Sequence, residues 1–221
     1  MLNKNRLLSS GVLLIVTFIG FLLRLYKLGF HDFWYDEIFS INYSFSFERL
    51  YNLPVYYFIL NKWIGLFGLS EFTLRLPSMI FSSISIPLVY VLGRKIFNSR
   101  VALFSAIIFA LSPYQLWYAQ EARSYSLMAF FGLVSANFLA DFIIMNKFVF
   151  FWLFIASSIA GLYSNYFYIP FFLSQFLYLV LLRKRFSLQR IFLVFLILPV
   201  ILFPLVPTFI RKFKLTEEVF W

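Results

Sequence analysis

The sequence predicts an all-α membrane protein, a polytopic bundle of about seven transmembrane helices with interfacial helices in the first outer loop. Of its 221 residues, 62% are hydrophobic, and the mean hydropathy is +0.87, whereas soluble domains are close to half apolar. Seven apolar stretches approach the roughly 20 residues that a helix needs to cross the hydrocarbon core. Short basic clusters separate several of these stretches. We therefore treat residues 1–221 as a single membrane domain.

The seven predicted spans follow one another along the chain. They cover residues 7–25, 72–92, 101–118, 125–145, 148–163, 167–182 and 191–210. The first lacks a small-residue cleavage site, so we expect a retained signal anchor and not a cleaved signal peptide. The fifth and sixth are short and are joined by residues 164–166, which predicts a helical hairpin. The seventh contains Pro199, Pro204 and Pro207, which remove helix hydrogen bonds and should kink it.

The charged residues predict which membrane face each loop occupies. With the N-terminus inside, ten of the 19 basic residues fall in four cytoplasmic segments, as the positive-inside rule favours. Of the nine acidic residues, only Asp141 falls near the inner face. The other eight are Asp32, Asp36, Glu37, Glu48, Glu71, Glu121, Glu217 and Glu218. We therefore expect a multi-pass protein of the cytoplasmic membrane whose chemistry faces the extracytoplasmic side.

Residues 26–71 are the longest predicted nonspanning segment and form the first extracytoplasmic loop. Within it, residues 54–67 are apolar and aromatic, too short to span, and flanked by Pro54 and Gly68. We expect a helix that lies in the membrane interface with its Tyr and Trp rings at headgroup depth. Such a helix would cover the acidic residues of the loop from the membrane side.

The composition excludes several kinds of site. The chain has no cysteine and one histidine, His31, so a disulfide framework, a thiolate metal site and a histidine-rich metal cage are excluded. The net charge is +10, yet the basic residues fall in short clusters between apolar runs and do not form one patch. Membrane topology accounts for this distribution, and we expect the lipid bilayer, not nucleic acid, as a partner.

Asp36 and Glu37 are the first candidate catalytic residues. They follow Trp34 and Tyr35 shortly after a membrane-length apolar run. Adjacent residues on a helix point about 100° apart, so the two carboxylates are expected to have different partners. One could serve as a general base while the other orients a cation or an arginine. The alternative reading is a solvated acidic loop.

Glu121 and Arg123 are the second candidates. They lie at the outer turn between the third and fourth predicted spans, on the membrane face that also carries Asp36. Ionisable groups at membrane depth are costly unless paired and are functional by default. An arginine here could bind phosphate through its planar fork. The alternative is a pair of charges that snorkel to the headgroups.

Three further basic residues and the single histidine are weaker candidates. Arg24 closes the first span and is expected to snorkel to the interface. Arg75 enters the second span beside Glu71 and could be its salt-bridge partner. Lys62 falls in the predicted interfacial helix. His31 could ligate a metal, yet a lone histidine in a loop is usually exposed.

Several short motifs occur in an order that is typical of one family. They are Trp-Tyr-Asp-Glu at 34–37, Leu-Pro-Val-Tyr-Tyr at 53–57, Ser-Glu-Phe-Thr-Leu-Arg-Leu-Pro-Ser at 70–78, Val-Tyr-Val-Leu-Gly-Arg at 89–94, Leu-Ser-Pro at 111–113 and Gln-Glu-Ala-Arg-Ser-Tyr at 120–125. Together they resemble the integral-membrane glycosyltransferases of the GT-C fold, specifically the protein mannosyltransferase and aminoarabinose transferase family. The resemblance covers nearly the whole chain and rests on the order and spacing of motifs that are each weak alone.

The resemblance implies transfer of a sugar from a polyprenyl-phosphate donor to an acceptor hydroxyl of a protein, lipid or glycan at the extracytoplasmic face. It implies that Asp36, with Glu37 beside it, is the catalytic base, because a hydroxyl must lose its proton as it attacks the anomeric carbon. Arg123, or a divalent cation such as Mg²⁺ or Mn²⁺ held by acids, would stabilise the departing lipid phosphate. Further substrate contacts are expected from Glu121, Arg75 and Tyr56.

The chain departs from the family pattern at two places. Family members commonly show His-Pro-Pro where this chain has Asn-Leu-Pro at 52–54, and Thr-His-Tyr where it has Ser-Asn-Tyr at 164–166. Both histidines are missing, which argues against a histidine-dependent metal or phosphate contact. The relatives also continue for several more spans and a soluble outer domain. One alternative to an active transferase is therefore a noncatalytic N-terminal fragment or truncated subunit. A second alternative is a lipid-linked sugar flippase or transporter.

Overall fold

A computed structural model describes residues 2–45, 54–182 and 206 of the chain. Within these ranges the chain is helical and contains no strand, which confirms the predicted all-α class. The helices are α1 (Leu2–Leu25), α2 (Tyr35–Phe45), α3 (Pro54–Phe67), α4 (Glu71–Ile96), α5 (Ser99–Leu111), α6 (Pro113–Ala119), α7 (Tyr125–Met145), α8 (Phe148–Leu162) and α9 (Tyr168–Leu181).

Two of these helices are long and apolar enough to cross a membrane, α4 with 26 residues and α7 with 21. The bent pair α5 and α6 adds a third crossing if the two helices form one span. Ser10–Leu25 of α1, together with α8 and α9, are apolar but shorter. The described part of the chain is thus a membrane helical bundle, and the seventh predicted span, residues 191–210, lies outside the described ranges.

The helix bounds follow the predicted ones closely. Helix α7 has the bounds predicted for the fourth span, and α3 has those predicted for the interfacial helix. Helices α4, α8 and α9 differ from their predicted spans by four residues or fewer at either end. No bounds are predicted for α2, which carries Asp36 and Glu37.

The third predicted span, residues 101–118, is divided in two at Ser112. Pro113 has no N–H to donate and fits the first position of a new helix, and α5 and α6 meet there at 55°. The break leaves the last carbonyls of α5 without partners in their own helix. Arg24 of α1 donates hydrogen bonds to two of them, Phe109 O and Ala110 O.

Helix α4 is the central element and packs against α1, α3, α5 and α7. Its contact with α5 is close, since a Cβ on Gly93 would lie 2.8 Å from Cα of Ala102. On its other side, Tyr56 of α3 is buried in one cluster with Leu74 of α4 and Leu127 of α7. This packing brings α2 and α3 to the end of the bundle that carries the loop between α6 and α7.

Helices α8 and α9 form the predicted hairpin. Phe154 and Phe172 stack across it with ring centroids 6.3 Å apart. Tyr168 packs so closely on Gly161 that a Cβ there would lie 2.3 Å from the ring, and its hydroxyl donates to Ser135 of α7 at 2.8 Å. The hairpin is thereby attached to α7, the helix that begins directly after Glu121 and Arg123.

Candidate active site

Glu37 and Arg75 form a buried ion pair where α2 meets α4. Ser70 caps the N-terminus of α4 through a capping box with Thr73, which places Arg75 near the start of the helix. Its Nε donates to Glu37 Oε1 at 2.8 Å and its Nη2 donates to Oε2 at 2.7 Å. The two side chains are 6% and 0% exposed. This bidentate geometry is the strongest form of an arginine–carboxylate contact.

Arg75 also organises the loop that precedes α2. Its Nη1 donates to the carbonyls of Leu28 and His31, and its Nη2 donates to the carbonyl of Asp32 at 3.2 Å. A guanidinium has five N–H donors, and these bonds together with the two to Glu37 engage all five. The sequence suggested Glu71 as the partner of Arg75, and the structure corrects this, because Glu37 reaches the guanidinium from α2.

Asp36 lies on a different side of α2 and pairs with Arg123. Arg123 Nη2 lies 3.4 Å from Asp36 Oδ2, and Nη1 donates to the Asp36 carbonyl at 3.1 Å. The Asp36 side chain is 42% exposed and that of Arg123 is 23% exposed. The expectation that the adjacent carboxylates have different partners is confirmed, since α2 points one inward and the other outward.

The loop between α6 and α7 is fixed at both of these pairs. The backbone N–H of Ala122 donates to Glu37 Oε1 at 2.8 Å, and Ser78 Oγ donates to the carbonyl of Arg123 at 3.1 Å. The Arg123 guanidinium lies 5.6 Å from the ring centroid of Tyr125 and donates to its hydroxyl at 3.5 Å. The loop therefore reaches Asp36 and Glu37 together, on the same end of the bundle, as expected.

Glu121 is buried in the same loop, at 6% exposure. The indole Nε1–H of Trp117, one helical turn earlier in α6, donates to its carboxylate. Desolvation by burial raises the pKa of Glu121, and the hydrogen bond from Trp117 opposes this shift. None of the ion pairs in the described part of the chain includes Glu121.

Tyr56 lies beneath the site and is 1% exposed. Its hydroxyl is 3.5 Å from Ser78 Oγ, the group that holds the carbonyl of Arg123. Burial strongly raises the pKa of this phenol. Tyr57, the next residue, is less buried, and its ring packs on Tyr43 of α2 at 5.5 Å. Tyr56 thus supports the loop from below, through Ser78.

Arg24 corrects a second expectation. The sequence predicted that it would snorkel to the interface, but the residue is fully buried. Its Nε donates to Ser82 of α4 at 2.8 Å, and its Nη1 donates to the carbonyls of Gly20 and Ala110 at 2.9 and 3.0 Å. Burial is possible because the broken α5 offers unpaired carbonyls, which a cation can satisfy in place of water.

The side chains of the two remaining candidates, His31 and Lys62, take part in neither ion pair. His31 is exposed, as expected for a lone loop histidine. Lys62 of α3 lies over the ring of Phe58 at 5.6 Å. In the described ranges no three His, Asp or Glu side chains converge into a possible metal site. The donor set there does not fit a cation held by the protein alone, so no step below is assigned to Mg²⁺ or Mn²⁺.

Two stabilising contacts of the site were not predicted from sequence. The Gln120 amide donates to the backbone carbonyls of Arg24 and Tyr26 at 3.2 and 2.8 Å, which attaches α6 to the end of α1. The backbone N–H of Ala122 donates to Glu37. Gln120 and Ala122 have uncharged side chains, and a hydrogen bond from the backbone of Ala122 leaves no signal in the sequence. The nearest indication was that both residues belong to the motif at 120–125.

The fold and the site define a class, a membrane helical bundle with two acid–arginine ion pairs at one end. The family model for dolichyl-phosphate-mannose-protein mannosyltransferases matches residues 52–210, more than half of the chain. The chain therefore belongs to this family of GT-C glycosyltransferases, membrane enzymes that use polyprenyl-phosphate sugar donors. The match begins after Asp36 and Glu37. Comparison with curated proteins and with solved structures finds no significant match.

Proposed function

We propose that this glycosyltransferase transfers the donor sugar to an acceptor hydroxyl, with Asp36 as general base and Arg123 as the partner of the departing lipid phosphate. The observation that carries the proposal is the partly exposed ion pair between these two side chains, 3.4 Å apart. It puts a proton acceptor and a phosphate-binding group side by side. The acceptor is a protein, lipid or glycan hydroxyl.

In the proposed step the acceptor oxygen forms a bond to the anomeric carbon of the sugar. The bond from that carbon to the phosphate oxygen breaks, and its electron pair leaves with the polyprenyl phosphate. The hydroxyl proton passes to the Asp36 carboxylate, which a positioned carboxylate can accept as the bond forms. Once the donor has bound, the positive Arg123 fork stabilises the negative charge that develops on the phosphate as the bond breaks.

Arg123 and Arg75 differ in how many of their hydrogen-bond donors remain available to a ligand. All five N–H groups of Arg75 are engaged within the protein, which leaves none for a phosphate. Arg123 makes one backbone hydrogen bond and two longer side-chain contacts, so its fork can turn to a ligand. We therefore assign phosphate binding to Arg123 alone. Glu37 and Arg75 are positioning residues, and Tyr56 supports them from within the core.

We propose that the end of the bundle that carries Asp36 and Arg123 faces the extracytoplasmic side of the cytoplasmic membrane. Arg94 and Lys95 lie at the opposite end of α4, and Arg100 lies in the first turn of α5, the next helix. The positive-inside rule favours the cytoplasm for such a cluster. A cysteine introduced at exposed Tyr35 should react with a membrane-impermeant maleimide in intact cells, whereas one at exposed Phe97 should react only after permeabilisation. The reverse labelling would overturn this orientation.

Transfer by the purified full chain in liposomes tests the mechanism. The donor is a short-chain polyprenyl-phosphate mannose, offered with a panel of hydroxyl acceptors. Asp36→Asn keeps the shape of the side chain and removes the base, so we expect the transfer rate to fall about 10²–10⁴-fold. Glu71→Gln removes a carboxylate at the start of α4 that belongs to neither ion pair, and this control should retain the wild-type rate.

Two results would contradict the proposal. An Asp36→Asn variant with the wild-type rate would remove Asp36 from the mechanism. A wild-type chain that transfers no sugar to any acceptor, while still binding the donor, would overturn the transferase assignment and favour a transporter. Movement of the labelled donor between the two leaflets of the liposome, measured in the same samples, distinguishes that alternative.

A further inference from the structure

A cavity of about 280 Å³ lies beside the buried ion pair, apart from the Asp36–Arg123 contact. Glu37 and Arg75 form part of its wall, while Asp36 and Arg123 do not line it. Its other walls come from the loop after α1 and from α6. Besides Lys27, the other polar and aromatic residues that line it are His31, Asp32, Trp34, Trp117, Gln120 and Glu121.

Two tryptophans flank this cavity. Trp34 precedes α2 and is 47% exposed, and Trp117 lies on α6 and is 66% exposed. Exposed tryptophan is common at membrane interfaces, so exposure alone does not indicate a ligand. Here both tryptophans line one cavity from different parts of the chain, and an indole ring offers a broad apolar face beside a polar N–H.

Glu121 supplies the second, independent observation. The residue is more than nine-tenths buried, lines the cavity and has no cation as an ion-pair partner in the described part of the chain. Only the Trp117 indole donates a side-chain hydrogen bond to it there. A carboxylate has about four acceptor positions, so Glu121 can accept further hydrogen bonds from a ligand. Burying such a group is costly unless those bonds are made.

The charges around the cavity narrow the ligand class. Asp32 and Glu121 line it without an ion-pair partner among the described residues, which disfavours an anion. Of the cations that line it, Arg75 has no free donor, and Lys27 lies over the Phe30 ring at 4.8 Å. No metal cluster occurs in the described residues. Because most of the cavity surface is apolar, a neutral ligand that combines apolar C–H faces with a few hydroxyl groups fits these walls best.

We propose that this cavity is a saccharide subsite in which Trp34 and Trp117 contact the face of one sugar ring and Glu121 accepts its hydroxyl hydrogen bonds. A pyranose ring presents C–H groups on its faces and hydroxyls around its rim, which matches an aromatic wall with polar neighbours. The volume suits a single ring, since it lies just below the range of about 300–1,000 Å³ for larger ligands. The ring belongs either to the lipid-linked donor or to a glycan acceptor, and this choice rests on the proposed function.

Tryptophan fluorescence of the full chain in nanodiscs tests the subsite without requiring transfer. The probes are methyl mannoside, short-chain polyprenyl-phosphate mannose, and polyprenyl phosphate without sugar. We expect a saturable change with at least one sugar-bearing probe and none with polyprenyl phosphate. If methyl mannoside binds without competition from the lipid-linked sugar, the site belongs to an acceptor sugar. Competition between the two, or saturation by the lipid-linked sugar alone, assigns the site to the donor.

Three substitutions give the test its specificity. Glu121→Gln and Trp117→Phe should each weaken the binding at least tenfold, read by calorimetry where the fluorescent group itself is removed. Asp32→Asn, at an exposed wall position, gives a further variant that should fold normally and also bind more weakly. Trp152→Phe on α8 is the matched control. Trp152 is exposed and does not line the cavity, so this variant should bind as the wild type does.

The inference is overturned if no sugar-bearing probe binds, or if Glu121→Gln, Trp117→Phe and Asp32→Asn all bind with wild-type affinity. Its failure is distinguishable from failure of the proposed function. Transfer without measurable binding in this cavity removes only the subsite. Binding that persists in Asp36→Asn while transfer is lost supports both, because Asp36 does not line the cavity.

Discussion

The Asp36 carboxylate lies 3.4 Å from the Arg123 guanidinium, and both side chains remain partly exposed although 87 residues separate them in the chain. The next residue, Glu37, meets Arg75 at 2.7 Å with almost no exposure. A substrate can displace an exposed ion pair at low cost, since such pairs contribute at most about 1 kcal/mol. Breaking a buried pair costs about 3–5 kcal/mol. The first turn of α2 therefore carries one ion pair that a substrate can displace, Asp36–Arg123, and one that stays in place, Glu37–Arg75.

Replacing Arg123 should impair the chemical step more than donor binding. Arg123→Gln is expected to lower kcat about 10²–10³-fold, because it removes a positioned donor from the charge that develops on the phosphate. The kcat of Arg123→Lys should lie between those of the wild type and Arg123→Gln, since an ammonium keeps the charge but lacks the planar fork. Steady-state kinetics with the lipid-linked donor measure kcat and KM separately. Lys62→Gln on α3 is the control, and a wild-type kcat for Arg123→Gln would refute the role.

The Glu37–Arg75 pair should be a stability determinant whose two halves are strongly coupled. Glu37→Gln and Arg75→Met are each expected to lower the free energy of unfolding by about 3–5 kcal/mol, because each leaves a buried charge unpaired. The double variant should lose clearly less than the sum of the two, since neither charge remains. Chemical unfolding in mild detergent measures the free energy of unfolding for the wild type, both single variants and the double variant. Additive losses would show that the pair is not coupled.

Arg24 should stabilise the bend between α5 and α6. Arg24→Met is expected to cost several kcal/mol, because hydrogen bonds to a charged group contribute about 1.5–3 kcal/mol each, and Arg24 makes four, to Ser82 and three carbonyls. Lys27→Met, an exposed cation near the same end of α1, should cost less than about 1 kcal/mol. Thermal unfolding compares them, and equal losses would indicate that Arg24 snorkels after all.

Glu121 should make stability depend on pH in a defined direction. Because burial raises its pKa, the folded protein holds the proton to higher pH than the unfolded chain does, so stability falls as pH rises above the ordinary glutamate range. Glu121→Gln cannot ionise and still accepts the Trp117 hydrogen bond. We expect its unfolding temperature relative to wild type to increase between about pH 5 and about pH 7.

The same comparison with Glu71→Gln provides the baseline for the loss of one acidic residue. If the difference between Glu121→Gln and wild type stays constant over this range, or decreases with pH, Glu121 does not carry the shifted proton. Differential scanning fluorimetry in one detergent and one salt concentration keeps the reference state the same for all three proteins.

Much of the fold could be predicted from local pattern. The bounds of α3 and α7 were predicted correctly, and the hairpin of α8 and α9 was expected from two short apolar runs. These features depend on the length of an apolar segment, which is visible within that segment. The break at Ser112 was missed although Pro113 marks it, because proline is often tolerated within membrane helices and apolar residues continue on both sides.

The sequence by itself determined the class of fold, the two acidic candidates and the motif order that indicated the family. Only the tertiary structure decided the partners. It paired Arg75 with Glu37, 38 residues away, in place of neighbouring Glu71, and it buried Arg24 under carbonyls from a helix 85 and 86 residues further on. The physical reason is that helix formation and membrane insertion depend on neighbouring residues, whereas the choice of a charge partner depends on which helix ends the packing brings together.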